Sequence, residues 1–152
     1  MIDIADAICK LLGSFAAITD EVTTGNVTRI YGTALPAALT EGWTGGTNGE
    51  GVEIDTTIYC EGENSQAHPS GDLVDTTARI VVFANDEDEA VRVARVVGAA
   101  LQPGKEPTKC VAVGAQRFLG VRQVHDMAVG EGEDTGWPQC ELKFGMSILE
   151  LN

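Results

Sequence analysis

A short apolar run, Ala78 to Ala84 (ARIVVFA), passes directly into an amphipathic run, Asn85 to Leu101 (NDEDEAVRVARVVGAAL), and this pair constrains the fold more than any other stretch. Ile80, Val81, Val82 and Phe83 are consecutive β-branched or aromatic residues, which suits a strand buried on both faces. Asn85 offers a side-chain oxygen to cap a helix. Asp86, Glu87, Asp88 and Glu89 then place negative charge in the first turn, beside the free N–H groups and the positive end of the helix dipole. Ala90, Val93, Ala94, Val97, Ala100 and Leu101 recur at helical spacing and form one apolar stripe. Asp88, Arg92 and Arg95 fall opposite, where Asp88 and Arg92 are spaced to pair. Pro103-Gly104 ends the run, leaving a helix of about 16 residues, roughly 24 Å long. Its small side chains let it lie close against a sheet.

The remaining elements take their places around this unit. Asp3 to about Phe15 reads as a first helix, with Ile4, Ile8, Leu11, Leu12 and Phe15 on one face and Asp3 and Asp6 near its positive end. Thr19 to Asn26 is polar and closes on the turn signal Gly25-Asn26. VTRIYG is a short strand-like piece, and Pro36 keeps the following ALPAAL segment extended. Five glycines between Gly42 and Gly51 predict a loop. Val52, Ile54, Ile58 and Cys60 then alternate with Glu53, Asp55, Tyr59 and Glu61, the pattern of a strand buried on one side. GENSQAHPSGD reads as a second polar loop leading into a strand from Leu73 to Ala84, with Val74, Ala78, Ile80 and Val82 on one face. Beyond the second helix, a β-prone stretch is interrupted by Gly114 and Gly120, which suggest bulges or bends. Cys140, Leu142, Phe144, Met146 and Ile148 alternate with polar or small residues in a closing strand, and GEGEDTGWP links it to Leu119–Val129 as a long hairpin. With few helices between strand runs, the expected class is α+β. Two helices would pack on one face of a mixed, mostly antiparallel sheet of about four to five strands, in a single domain over residues 1–152.

The 152 residues are 43% hydrophobic, enough for an ordinary core, and aromatics are only 5%, so packing rests on aliphatic side chains. A net charge of −13 argues against a nucleic-acid groove and against binding to anionic membrane surfaces. No signal-peptide pattern or run of transmembrane length is present, so a cytoplasmic origin is expected. Cys9, Cys60, Cys110 and Cys140 contain no CxxC pair. Their plainest reading is as small buried hydrophobes in a reducing compartment, with a metal site or disulfides as the alternative. His68 and His125 lack the spacing of a metalloenzyme motif, and the Asp86–Glu89 acids lack that of a calcium loop. The GGTNGEG loop has no Walker Lys-Ser/Thr, and no GxSxG is present. No catalytic residue, metal or cofactor is therefore expected. Trp43 and Trp137 each sit in a polar, Gly-rich loop, either tucked back on the core or reserved for a partner surface.

The order of elements resembles the tail terminator (tail completion) proteins of long-tailed bacteriophages and gene transfer agents. Arg29-Ile30-Tyr31, Leu35-Pro36, the ARIVVFANDEDEAVRVARVVGAAL run and the final CELKFGMSILEL strand carry the likeness. The resemblance implies a structural protein without an active site. It would form a homo-oligomeric ring, a hexamer, on the head-proximal end of the tail, stop tail-tube polymerisation and join the tail to the head connector. Its partners would be the tail tube protein and a neck or head-completion protein. DNA would pass through an acidic lumen without binding, and no membrane would be involved. The location implied is the neck of the virion tail, assembled in the host cytoplasm. In a ring, Arg79, Arg92 and Arg95 would meet acids of the adjacent subunit. Trp43, Trp137, Glu131, Glu133 and Asp134 would belong to loops that contact partners. Rival readings are another neck or head-closure ring, a small hydrolase using Cys or His, and a dimeric ferredoxin-like binding domain.

Overall fold

The computed structural model describes residues 2–36, 39, 54–131 and 136–151. Among these residues the fold is α+β, with three helices, a two-stranded hairpin and a curled six-stranded sheet. The helices are α1 (Ile4–Gly13), α2 (Ala16–Val22) and α3 (Glu87–Leu101). The hairpin joins β1 (Thr23–Thr24) to β2 (Val27–Thr28). The sheet contains β3 (Ile30–Tyr31), β4 (Thr57–Ala67), β5 (Leu73–Phe83), β6 (Thr108–Val113), β7 (Gln116–Glu131) and β8 (Pro138–Glu150), in the order β3-β4-β5-β8-β7-β6. Only the β3–β4 pair is parallel. The sheet thus has more strands, and the chain more helices, than the sequence pattern predicts.

The first expected helix is two. Ser14 donates its backbone N–H and its hydroxyl (2.6 Å) to the Leu11 carbonyl, competing with continued helix, and Phe15 turns extended. The chain re-enters a helix at Ala16, and Ile18 and Val22, one turn apart, are buried in the core. The polar stretch that followed in the sequence is therefore partly helix, and only its Gly25-Asn26 turn behaves as expected.

The strand–helix unit forms with its boundaries nearly as predicted, but the cap differs. Asp86, not Asn85, accepts from the Glu89 N–H at 2.8 Å. Asn85 instead clamps the backbone of Ile54, accepting from its N–H (2.7 Å) and donating to its carbonyl (3.0 Å). This clamp holds Ile54 outside β4. The sequence placed Ile54 on one face with Ile58 and Cys60; the structure packs it with the other cluster. β4 starts at Thr57 and runs on to Ala67 through the expected polar loop, because β5 pairs with it residue by residue past a bulge between Glu63 and Gln66. Val52 and Glu53, and the Gly42–Gly51 loop, lie outside the described residues.

β5 is buried on both sides, as its apolar run requires. Ala78, Ile80 and Val82 face α1 and α3 in the main core together with Cys60, Leu142, Phe144 and Ile148. Val81 and Phe83 face the opposite way and meet Leu39, Ile54, Tyr59 and Trp137. Gly114 (φ 56°) makes the β6–β7 turn, and Gly120 (φ 61°) sits where the β7–β8 register shifts. The closing hairpin is longer than the sequence suggests, with Gln116 opposite Glu150 and Glu131 opposite Pro138.

Gly32, just after β3, is fixed by packing. A Cβ there would lie 2.8 Å from Cys9 Sγ and 3.1 Å from the Ala5 carbonyl oxygen. Gly32→Ala would push α1 off the sheet edge, and a destabilisation of about 1–3 kcal/mol is expected in urea unfolding. An unchanged midpoint would show that α1 can move without cost.

Candidate interaction surfaces

The sheet face opposite the helices carries a ladder of charge across three strands. Arg79 on β5 donates to Glu141 on β8 (2.6 Å) and to Glu61 on β4 (3.1 Å). Lys143 on β8 reaches Glu63 on β4 (3.0 Å). In register, Glu61, Arg79 and Lys143 are cross-strand neighbours, so alternation along each strand delivers all these side chains to one surface. Three carboxylates against two cations leave the ladder net acidic. Arg79, expected to meet acids of another copy, has two acids of its own chain.

Arg92 is likewise engaged. It bridges Glu89 on its own helix and Glu21 on α2, each at 2.7 Å, rather than Asp88. The partner one turn back is set by three residues, not four, because α2 approaches from that side and Glu21 fixes the guanidinium. Arg95 is exposed and lines a shallow groove of about 430 Å³ between α3 and β7, with Ala94, Gly98, Gln102, Asp126 and Met127.

Hydrogen bonding from Arg92 holds the Glu21 carboxyl below its ordinary 4.5, and Ser147, then His68, hold that of Asp75 below 3.8. Carboxylates depressed on folding stabilise the fold above their unfolded values, and that contribution is lost as pH falls through the folded ones. Thermal stability is therefore expected to start falling below about pH 4.5. Glu21→Gln should soften that acid limb, and an identical pH profile would remove the Arg92 contact from stability.

Among the described residues the two ends of the sheet are open. β3 covers β4 only at Ile58 and Tyr59, so Cys60–Ala67 has no outer neighbour strand among the described residues. At the other end β6 covers β7 only as far as Val121. From Arg122 to Glu131 β7 is an edge, exposed over most of its length, with Val124 and Val129 at 36% and 48% exposure. Gln102 blocks it at a single point by accepting from the Gln123 N–H (2.8 Å). The β4 edge carries Glu61 and Glu63. The open stretch of β7 carries Arg122 against Asp126 and Glu131 and presents Val124 and Val129, so the two edges differ in their apolar side chains and both are net acidic. Edges with unpaired N–H and C=O groups are templates for another strand.

The other predicted residues are scattered. Trp137 is fully buried against Val81, Phe83 and Leu39, so its indole belongs to the core instead of a partner surface. It covers two large apolar side chains on the ladder face. Glu131 is exposed at the end of β7, whereas Trp43, Glu133 and Asp134 lie outside the described residues. His68 pairs with Asp75 at the surface (3.3 Å), and His125 is exposed on β7. Of the cysteines, Cys60 and Cys140 are buried as expected, but Cys110 is exposed and Cys9 half-buried. Among the described residues no group of three His, Cys, Asp or Glu side chains is placed to hold a metal ion. No helix among them is long and apolar enough to cross a membrane. The chain matches no protein-family model and no curated protein.

Proposed function

We propose that this chain is a ring-forming structural protein at the head-proximal end of a long phage tail, where it stops tail-tube polymerisation and joins the tail to the head connector. The observation that carries the reading is the pair of edges left open among the described residues at opposite ends of one sheet, which present different side chains. A surface that offers one patch to a different patch on the next copy adds head to tail, and it closes when the rotation divides a circle. The exposed Arg95 and the terminal Glu131 are free to join such a contact. The layout of elements adds to this through its resemblance to tail terminators. So does the charge, since six copies of a chain of −13 would give a channel wall that repels passing DNA. The acidic Glu61–Arg79–Glu141–Lys143–Glu63 ladder is the face suited to that wall.

Native mass spectrometry of the purified protein tests the ring. The expected species has six times the 16.0 kDa chain mass. Added to polymerising tail tubes, it should halt growth and sit at one tip by electron microscopy. A two-fold dimer with tubes of unchanged length would overturn the reading. Binding on the portal side with no effect on tubes would make it a head-closure ring instead.

A further inference from the structure

We propose that Cys9 and Cys60 form a reversible dithiol–disulfide site that ties α1 covalently to β4. Their sulfurs are 3.0 Å apart although the residues are 51 positions apart in sequence. Two thiols in ordinary contact sit farther apart than that, and a disulfide needs only a further approach to about 2.05 Å. The site is built for closeness. Gly32 passes over Cys9 with no Cβ, leaving room that any other residue would fill, and Cys60 is held from below by the Tyr31 carbonyl (3.7 Å). α1 and β4 are both anchored in the main core, so the sulfurs meet on rigid elements.

The two thiols also divide the work. Cys9 is half-buried and Cys60 fully buried, so a small oxidant reaches Cys9 first. The hydrogen-bonding contact between the two sulfurs lowers the Cys9 pKa, while the same contact and burial raise that of Cys60. Cys9 is thus the attacking thiolate and Cys60 the resolving thiol. With a low-molecular-weight disulfide of the glutathione class as oxidant, Cys9 Sγ attacks one oxidant sulfur and expels one thiolate. The Cys60 thiol then gives up its proton, attacks Cys9 Sγ and expels the second thiolate. Two protein thiols lose two electrons, one oxidant disulfide gains them, and the two thiol protons end on the two released thiols. Cys110 and Cys140 have no thiol neighbour among the described residues.

The test treats the intact protein with oxidised glutathione and counts thiols after unfolding. The four cysteines of the chain should fall to two free thiols, with intact mass lower by two hydrogens and a peptide map joining the Cys9 and Cys60 peptides. The link closes a long loop, so melting temperature should rise by roughly 10 °C and return on reduction. Cys9→Ser should lose both the link and the shift, while Cys110→Ser should keep both. Four surviving thiols, or a link through Cys110 or Cys140, would overturn the proposal, as would a Cys9–Cys60 link that leaves melting unchanged.

Discussion

Replacing Trp137 by Ala is expected to lower the melting temperature by roughly 10 °C, making it the most damaging single change on the ladder face of the sheet. The indole is fully buried, and it shields Val81 and Phe83 of the central strand from water. Truncating a buried Trp removes its transfer free energy and leaves a cavity, about 3–5 kcal/mol together. For a chain of this size each kcal/mol shifts melting by about 2–4 °C. Trp137→Phe keeps most of the volume and should cost less than half as much. Differential scanning calorimetry reads both. A loss under 3 °C for the alanine variant would mean that Leu39 and Tyr59 can close over the gap.

Charging the open edge of β7 should leave the monomer intact and abolish assembly. Val124→Asp with Val129→Asp alters two side chains already exposed to water, so the fold should melt within a degree or two of the parent. In the proposed ring the same carboxylates would face the Glu61 and Glu63 edge of the neighbour, where like charges meet across a strand pair. Light scattering should then report only the 16.0 kDa chain. A full-sized ring from the double variant would place the subunit contact elsewhere and leave the edge as merely protected surface.

The fold was legible wherever apolar residues repeat with one period over a long run. β5, α3 and β8 each carry such a run, and the structure forms them close to their expected limits. Choices between neighbouring polar side chains were not legible. Asn85 and Asp86 can both cap a helix, and the backbone of Ile54, distant in sequence, recruits the first and leaves the cap to the second. α2 shows only Ile18 and Val22 among polar neighbours, too few to reveal a period. Trp137 looked available to partners because its sequence neighbours are polar and small. Nothing near it in the chain shows that Val81 and Phe83 need a cover. Arg92 looked spaced to pair with Asp88 and open to a neighbouring copy, because nothing local announces Glu21, 71 residues away. The open edges and the Cys9–Cys60 contact arise only when the strand order is known, because neither has a local signature.

That strand order also governs when the protein can fold. β8 comes after all the other described strands in the chain yet sits between β5 and β7, and contacts such as Arg79–Glu141 join residues 62 apart. Until it emerges, the nascent chain holds two partial sheets, each with a flank of unpaired backbone N–H and C=O groups. Such halves are slow to find one another and prone to associate with strangers. Zippering therefore finishes at the middle of the sheet, and a ribosome stalled short of Pro138 would carry a chain that chaperones must shelter.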